Sequence, residues 1–129
     1  LRTSGIGAAL EDVLSDLGIP VILAGFLIAA VMRVAQGSAT VALTTAAGLI
    51  APAVLAGGYN EVQLAAMVVA VAAGSVVLSH VNDSGFWLVG RFLEMDVRTT
   101  FKTWTVLETI IGVVGFTVAA VIFGLAGAF

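Results

Sequence analysis

Residues 104–127, WTVLETIIGVVGFTVAAVIFGLAG, run for 24 positions with a single charged side chain, Glu108. An α-helix crosses the hydrocarbon of a bilayer in about 20 apolar residues, so this stretch suits lipid and would be an aggregation hazard in water. The rest of the chain agrees. Of its 129 residues 60% are hydrophobic and 10% charged, against roughly 25% charged in ordinary soluble domains. Too few charges remain to cover a water-facing surface. The net charge of -3 comes with no basic stripe, which argues against a nucleic-acid partner. Without cysteine there is no disulfide framework, thiol chemistry or Cys-based metal site. The single histidine makes a metal centre improbable, and no cofactor is called for. The fold class is therefore all-α, a polytopic membrane protein.

The start, LRTSGIGAALEDVLSDLGIP, has neither an initiator methionine nor the basic-then-apolar pattern of a signal peptide. It reads as an entry into the tail of a longer protein. Residues 1–18 place Ile6, Leu10, Val13, Leu14 and Leu17 at helical spacing, with Glu11, Asp12 and Asp16 on the other side, the pattern of an amphipathic interfacial helix. Residues 19–57 hold two apolar arms, 20–35 and 41–56, joined by QGSAT at 36–40. Each arm reaches about 24 Å as a helix, somewhat short of a full crossing. The joint has no turn-type charge. Hydroxyls and an amide there suit a backbone opened inside protein, where they can serve freed N–H and C=O groups. That favours a re-entrant helical hairpin with its tip at 36–40, over two short spans with a tight turn.

Residues 58–103 continue with an apolar segment that SHVNDSGFW interrupts at 79–87. An unpaired backbone group in hydrocarbon costs several kcal/mol, so a broken membrane helix survives only against a cavity or inside protein. Gly85 permits a break at 80–85, and Asp83 or Ser84 can N-cap a second half-helix from about Phe86. The same four residues, Asn-Asp-Ser-Gly, also make an ordinary turn. Two interruptions in one short apolar chain are, however, the pointer to a transporter's central site. RFLEMDVRTTFK, residues 91–102, is the charge-dense connector, and 104–129 is the last transmembrane helix, with Trp104 at an interface-type position. Arg91, Arg98 and Lys102 place the connector in the cytoplasm by the positive-inside rule, with the hairpin entering from the outer side.

Three stretches carry a family resemblance: RVAQGSATVA at 33–42, LSHVNDSGFWLV at 78–89 and KTWTVLETI at 102–110. In order and spacing they resemble the C-terminal part of the gluconate permease family. The resemblance implies proton-coupled import of gluconate or a related small hydroxy acid across the bacterial inner membrane. It implies one half of an inverted-repeat transporter, in which a hairpin and a broken helix from each half build a central site. Some relatives carry an amino acid such as D-serine, and the motifs do not separate the two. The implied partners are a small carboxylate substrate, the lipid bilayer and the rest of the same transporter chain, with a homo-oligomer left open and the proton as coupling ion.

The candidate substrate- and proton-binding residues are Gln36, Ser38, Thr40, His80, Asn82, Asp83 and Ser84. Asp83 is the leading one, since a carboxylate at membrane depth is costly and usually functional; as a proton carrier it would be neutral when loaded and ionised on release. Imidazole changes charge near neutrality, so His80 is a candidate relay, against the plainer role of a hydrogen-bonded residue at a helix end. The uncharged five suit a polyol and a carboxylate, or their own backbone. Arg33 fits either a substrate carboxylate or a carboxylate elsewhere in the chain. Glu108 reads as an interfacial residue near Lys102 and Trp104 ahead of a coupling acid. Gly112, Gly115, Gly124 and Gly127 read as helix packing. A structural or channel subunit would use the same helices; an enzyme lacks a nucleophile–base or metal constellation here.

Overall fold

The computed structural model describes residues 18–128 and is helical, with no strand among them. The interfacial helix anticipated at 1–18 falls outside that range apart from Gly18. Four principal pieces follow in order: α1 (Val21–Gln36) and α2 (Ala39–Ala56), α3 (Glu61–Gly74) and α4 (Ser84–Phe92). The fifth, α5, is a 30-residue helix, Val97–Ala126, with a π-helical turn at Phe101–Thr105. At 1.5 Å per residue α5 is about 45 Å long. By length and apolar composition α2 and α5 could each cross a membrane.

Local chemistry sets the boundaries. Gly37, at φ 74°, takes the left-handed cap that ends α1, its N–H on the Arg33 carbonyl, the usual use of glycine at a helix end. One residue on, Ser38 caps α2, accepting from the Val41 N–H. Asn60 and Gln63 form a reciprocal capping box at the start of α3, and the Asn60 amide also donates to the Ala126 carbonyl at 2.8 Å. That ties the start of α3 to the end of α5. Asp83 caps α4 and Asp96 caps α5.

Helix α5 thus begins seven residues before the position that apolar length indicated. The polar stretch 97–103 stays helical because its hydroxyls bond within the helix: Thr100 to the Asp96 carbonyl and Thr103 to the Thr99 carbonyl, a local pairing available to Ser and Thr. Hydropathy registers those threonines as polar and misses the helix.

The helices pack through small residues. Helices α1 and α2 are antiparallel neighbours, with Ala29, Ala46 and Ile50 in one cluster and Gly25 close to Ile50. Helices α1 and α3 run the same way, Ile22 beside Met67 and Ala70, and the Gly74 Cα against the Phe26 carbonyl. Helix α5 returns antiparallel to α3, from Gly112 beside Ala73 and Val77, through Ala119 beside the Met67 cluster, to Phe123 on Tyr59 with ring centroids 5.6 Å apart. Fully buried positions are mostly alanine, while Val31, Leu55, Val68 and Leu125 are exposed. Close approach through small residues, with large apolar side chains facing outward, is how helices associate in membranes.

One consequence of this arrangement positions the site. Because α1 and α3 are parallel, the chain leaving α3 at the level of Phe26 and Ala29 continues alongside the rest of α1, which brings Asn82 in the α3–α4 break beside the α1–α2 turn at Gly37.

Candidate functional site

Helix α3 stops at Gly74, and α4 starts at Ser84. Between them lies a non-helical crossing that begins earlier than the sequence indicated at 80–85. Ser75 closes α3 with its hydroxyl on the Ala72 carbonyl at 2.7 Å, and Leu78 takes a left-handed φ of 53°. A backbone of this kind needs partners, and three come from α5 and α4. Leu78 N–H donates to Thr109 Oγ1 at 3.2 Å, Thr105 Oγ1 donates to the Ser79 carbonyl at 2.5 Å, and Trp87 Nε1 donates to the Val81 carbonyl at 2.8 Å.

At the centre is an ion pair. Arg33, from the last turn of α1, is 4% exposed and pairs through Nη2 with Asp83 Oδ2. Its Nη1 donates to the Gly37 carbonyl at 2.5 Å, so one guanidinium holds both the tip of the α1–α2 turn and the cap of α4. Asp83 also accepts from the Ser79 hydroxyl and from the Gly85 N–H at 2.9 Å. Ser79 in turn receives Trp104 Nε1 at 2.9 Å. The Asn82 amide donates to the Val34 carbonyl at 2.8 Å, and the Gly37 Cα packs on the Asn82 carbonyl so closely that a Cβ there would collide with it. Arg33 Nε is buried and has no hydrogen-bond partner among the described residues.

The sequence candidates divide accordingly. Asp83 and Asn82 join the cluster directly, and Ser38 caps the adjacent helix from a half-buried position. Gln36, Thr40 and Ser84 are exposed. His80 is half-buried, with Nδ1 2.8 Å from the Leu78 carbonyl, a local backbone contact. Ser79, Trp104 and Thr105 join the cluster without being among the sequence candidates. Ser79 stands inside the quoted SHVNDSGFW, but nothing in the sequence marks it as the residue bridging Asp83 to α5. Trp104, anticipated at a membrane interface, lies seven residues into α5 with its indole turned to Ser79. Glu108, anticipated beside Lys102, is half-buried, between Thr105 and Thr109, which bond to the crossing.

Along α5 the contacts at Trp104, Thr105 and Thr109 put the crossing about 12 Å from the start of that helix and about 32 Å from its end at Ala126. The charged connector lies on the near side.

Apolar helices packed through alanine and glycine, with a polar knot between a tight turn and a helix break, are the architecture of a polytopic membrane protein. A sequence profile described as GntP family permease matches residues 1–125, and the chain belongs to that family, of permeases rather than enzymes. It is 47% identical over 125 residues to the low-affinity gluconate transporter of Escherichia coli K12, covering 97% of this chain and 28% of that protein. It is 49% identical over 116 residues to a gluconate permease of Pseudomonas aeruginosa, covering 89% and 25%. It is 43% identical over 115 residues to a gluconate permease of Bacillus subtilis, covering 89% and 25%. The chain thus spans about a quarter of the length of the curated relatives it matches. No solved structure matches it.

Proposed function

We propose that this chain forms part of a secondary transporter of the cytoplasmic membrane that imports gluconate or a related small hydroxy-acid anion together with protons. The observation that carries the reading is the buried Arg33–Asp83 pair bridging two helix interruptions. Helices α2 and α4 both begin within two residues of the Gly37–Asn82 contact. Helix N-termini offer N–H donors and the positive end of a dipole to an anion, and discontinuous helices are where transporters bind carboxylates. Arg33 adds a fixed cation with one buried donor, Nε, to spare. A substrate carboxylate competes with Asp83 for that guanidinium, and Asn82, Ser38 and the exposed hydroxyls at the rim suit a polyol chain. The gluconate named for the relatives supports the choice of substrate. Binding of the anion and a proton needs no further cofactor. The remaining walls of the site would come from other parts of the transporter or from a second copy.

The test uses the intact protein in proteoliposomes with an inward proton gradient. Labelled gluconate should accumulate, and unlabelled sugar acids should compete better than D-serine or other small amino acids. Uptake that D-serine blocks and gluconate does not would replace the sugar acid by an amino acid. Passive flux that ignores the gradient would replace the transporter by a channel.

A further inference from the structure

We propose that Glu108, rather than Asp83, is the proton-carrying acid of this site, and that its proton is what allows an anion to enter beside the Arg33–Asp83 pair. The inference rests on the proposed transport function. Its first support is helical register. On α5, Trp104 and Thr105 bond to Ser79, Thr109 bonds to Leu78, and Gly112 packs on Ala73 and Val77. Glu108 is four residues after Trp104, three after Thr105 and four before Gly112, so it shares the face turned to the α3–α4 crossing.

Its second support is how the charges are matched. Asp83 already holds Arg33, the Ser79 hydroxyl and the Gly85 N–H, all donors to an ionised carboxylate. To be protonated it would have to give up its cation and the cap of α4 together. Glu108 has no side-chain hydrogen bond or ion pair among the described residues. The charged groups linked to its face of α5 are Asp83, through Ser79 and Trp104 one turn before Glu108, and Arg33, through Asp83. Helix α2 has no ionisable side chain, and the only one on α3, Glu61, is at its far end. On α5 itself Lys102 is a turn and a half away, and His80 is turned to the Leu78 carbonyl.

The third support is the buried, unpartnered Nε of Arg33. With Glu108 ionised, one arginine faces two carboxylates, and a substrate anion would be a third negative charge on one cation. A proton on Glu108 removes that excess, so proton and anion bind cooperatively. No bond is made or broken beyond the O–H: the proton joins the carboxylate from the outer solution and leaves to the inner one.

The experiment has two arms on the intact protein. The first needs no substrate. Infrared spectra of purified wild type are recorded across a pH titration and compared with Glu108→Gln, Glu108→Asp and the control Glu61→Gln. The carboxylic-acid C=O band that titrates in wild type and Glu61→Gln should be missing in Glu108→Gln and displaced in Glu108→Asp. A band that persists in Glu108→Gln assigns the proton elsewhere and overturns the proposal. The second arm measures uptake driven by one pH unit, for which a single coupled proton supports roughly tenfold accumulation. Accumulation in Glu108→Gln should fall towards unity, with partial recovery in Glu108→Asp. Wild-type accumulation in Glu108→Gln overturns the proposal as well. If wild type itself accumulates no gluconate, the substrate reading fails while the infrared arm still decides the role of Glu108.

Discussion

At the α1–α2 turn the chain reverses over two residues, Gly37 and Ser38, whereas between α3 and α4 it takes residues 75–83. The turn is held by few interactions of its own: one left-handed glycine, the Arg33 bond to that glycine's carbonyl and one serine cap, with Gln36 and Thr40 exposed. The crossing is held by a buried carboxylate with three donors and by hydroxyl and indole groups reaching in from α5. The two are also unequal partners. The Asn82 amide of the crossing supplies a hydrogen bond to the Val34 carbonyl. Arg33 of α1, which bonds the Gly37 carbonyl, is itself held by Asp83, so the tip leans on the crossing through both residues. A tip that depends on its neighbour can be released by it. On the proposed reading, an anion that draws Arg33 away from Asp83 would loosen both interruptions together.

The sharpest way to break this asymmetry is to remove the shared cation. Arg33→Ala leaves Asp83 buried without a counter-charge, and losing one partner of a buried pair costs about 3–5 kcal/mol. Reversible unfolding of the intact protein in mixed detergent should register that loss. Arg33→Ala/Asp83→Ala should recover part of it, because the orphaned charge is gone. A double variant as unstable as the sum of the single ones would mean that the pair is not coupled. Uptake should be lost in both, since the cation is gone from each.

The next test asks how tightly the tip is pressed on the crossing. Gly37 and Gly58 have similar left-handed backbones, φ 74° and 63°, but a Cβ at Gly37 meets the Asn82 backbone while one at Gly58 meets open space. Alanine at either position bears the left-handed strain, roughly 1–2 kcal/mol. Gly37→Ala should therefore be the more destabilising, with the difference reporting the Asn82 contact alone. Equal effects would separate the turn from the crossing. A smaller loss is expected from Trp104→Phe, which removes the donor to Ser79 Oγ and keeps most of the ring; a hydrogen bond of this kind is worth about 0.5–1.5 kcal/mol.

What the sequence made legible follows from what hydropathy and cap chemistry measure. Two apolar arms joined by QGSAT and a polar cluster at SHVNDSGFW were visible because glycine, serine and aspartate stand out in an apolar run. Asp83 could be singled out because a carboxylate is conspicuous there. Its partner was harder to identify. Arg33 lies 50 positions earlier, and only the parallel packing of α1 and α3, set by Gly74 on Phe26 and Ile22 on Met67, brings the two together. Ser79 and Thr105 give the same lesson. A serine or threonine in an apolar helix has the same sequence signature whether it bonds its own backbone, as Thr117 does to the Val113 carbonyl, or braces another segment. The early start of α5 was hidden because hydropathy registers Thr99, Thr100 and Thr103 as polar, although the hydroxyls of Thr100 and Thr103 bond within the helix.

The smallest expected effect sharpens the comparison from the side of the turn. Ser38 caps α2 through a 3.4 Å contact with the Val41 N–H, near the long end of what counts as a hydrogen bond. Removing a serine cap costs about 0.5–2 kcal/mol, and a contact this long belongs at the low end, so Ser38→Ala should cost about 0.5 kcal/mol. If the turn is held mainly by the crossing, that modest loss is all that should appear, and gluconate uptake should suffer through substrate contacts rather than through folding. The measurement is a paired one, unfolding and KM on the same preparation. A stability loss as large as that of Gly37→Ala would show that the turn supports itself, and the dependence of tip on crossing would have to be given up.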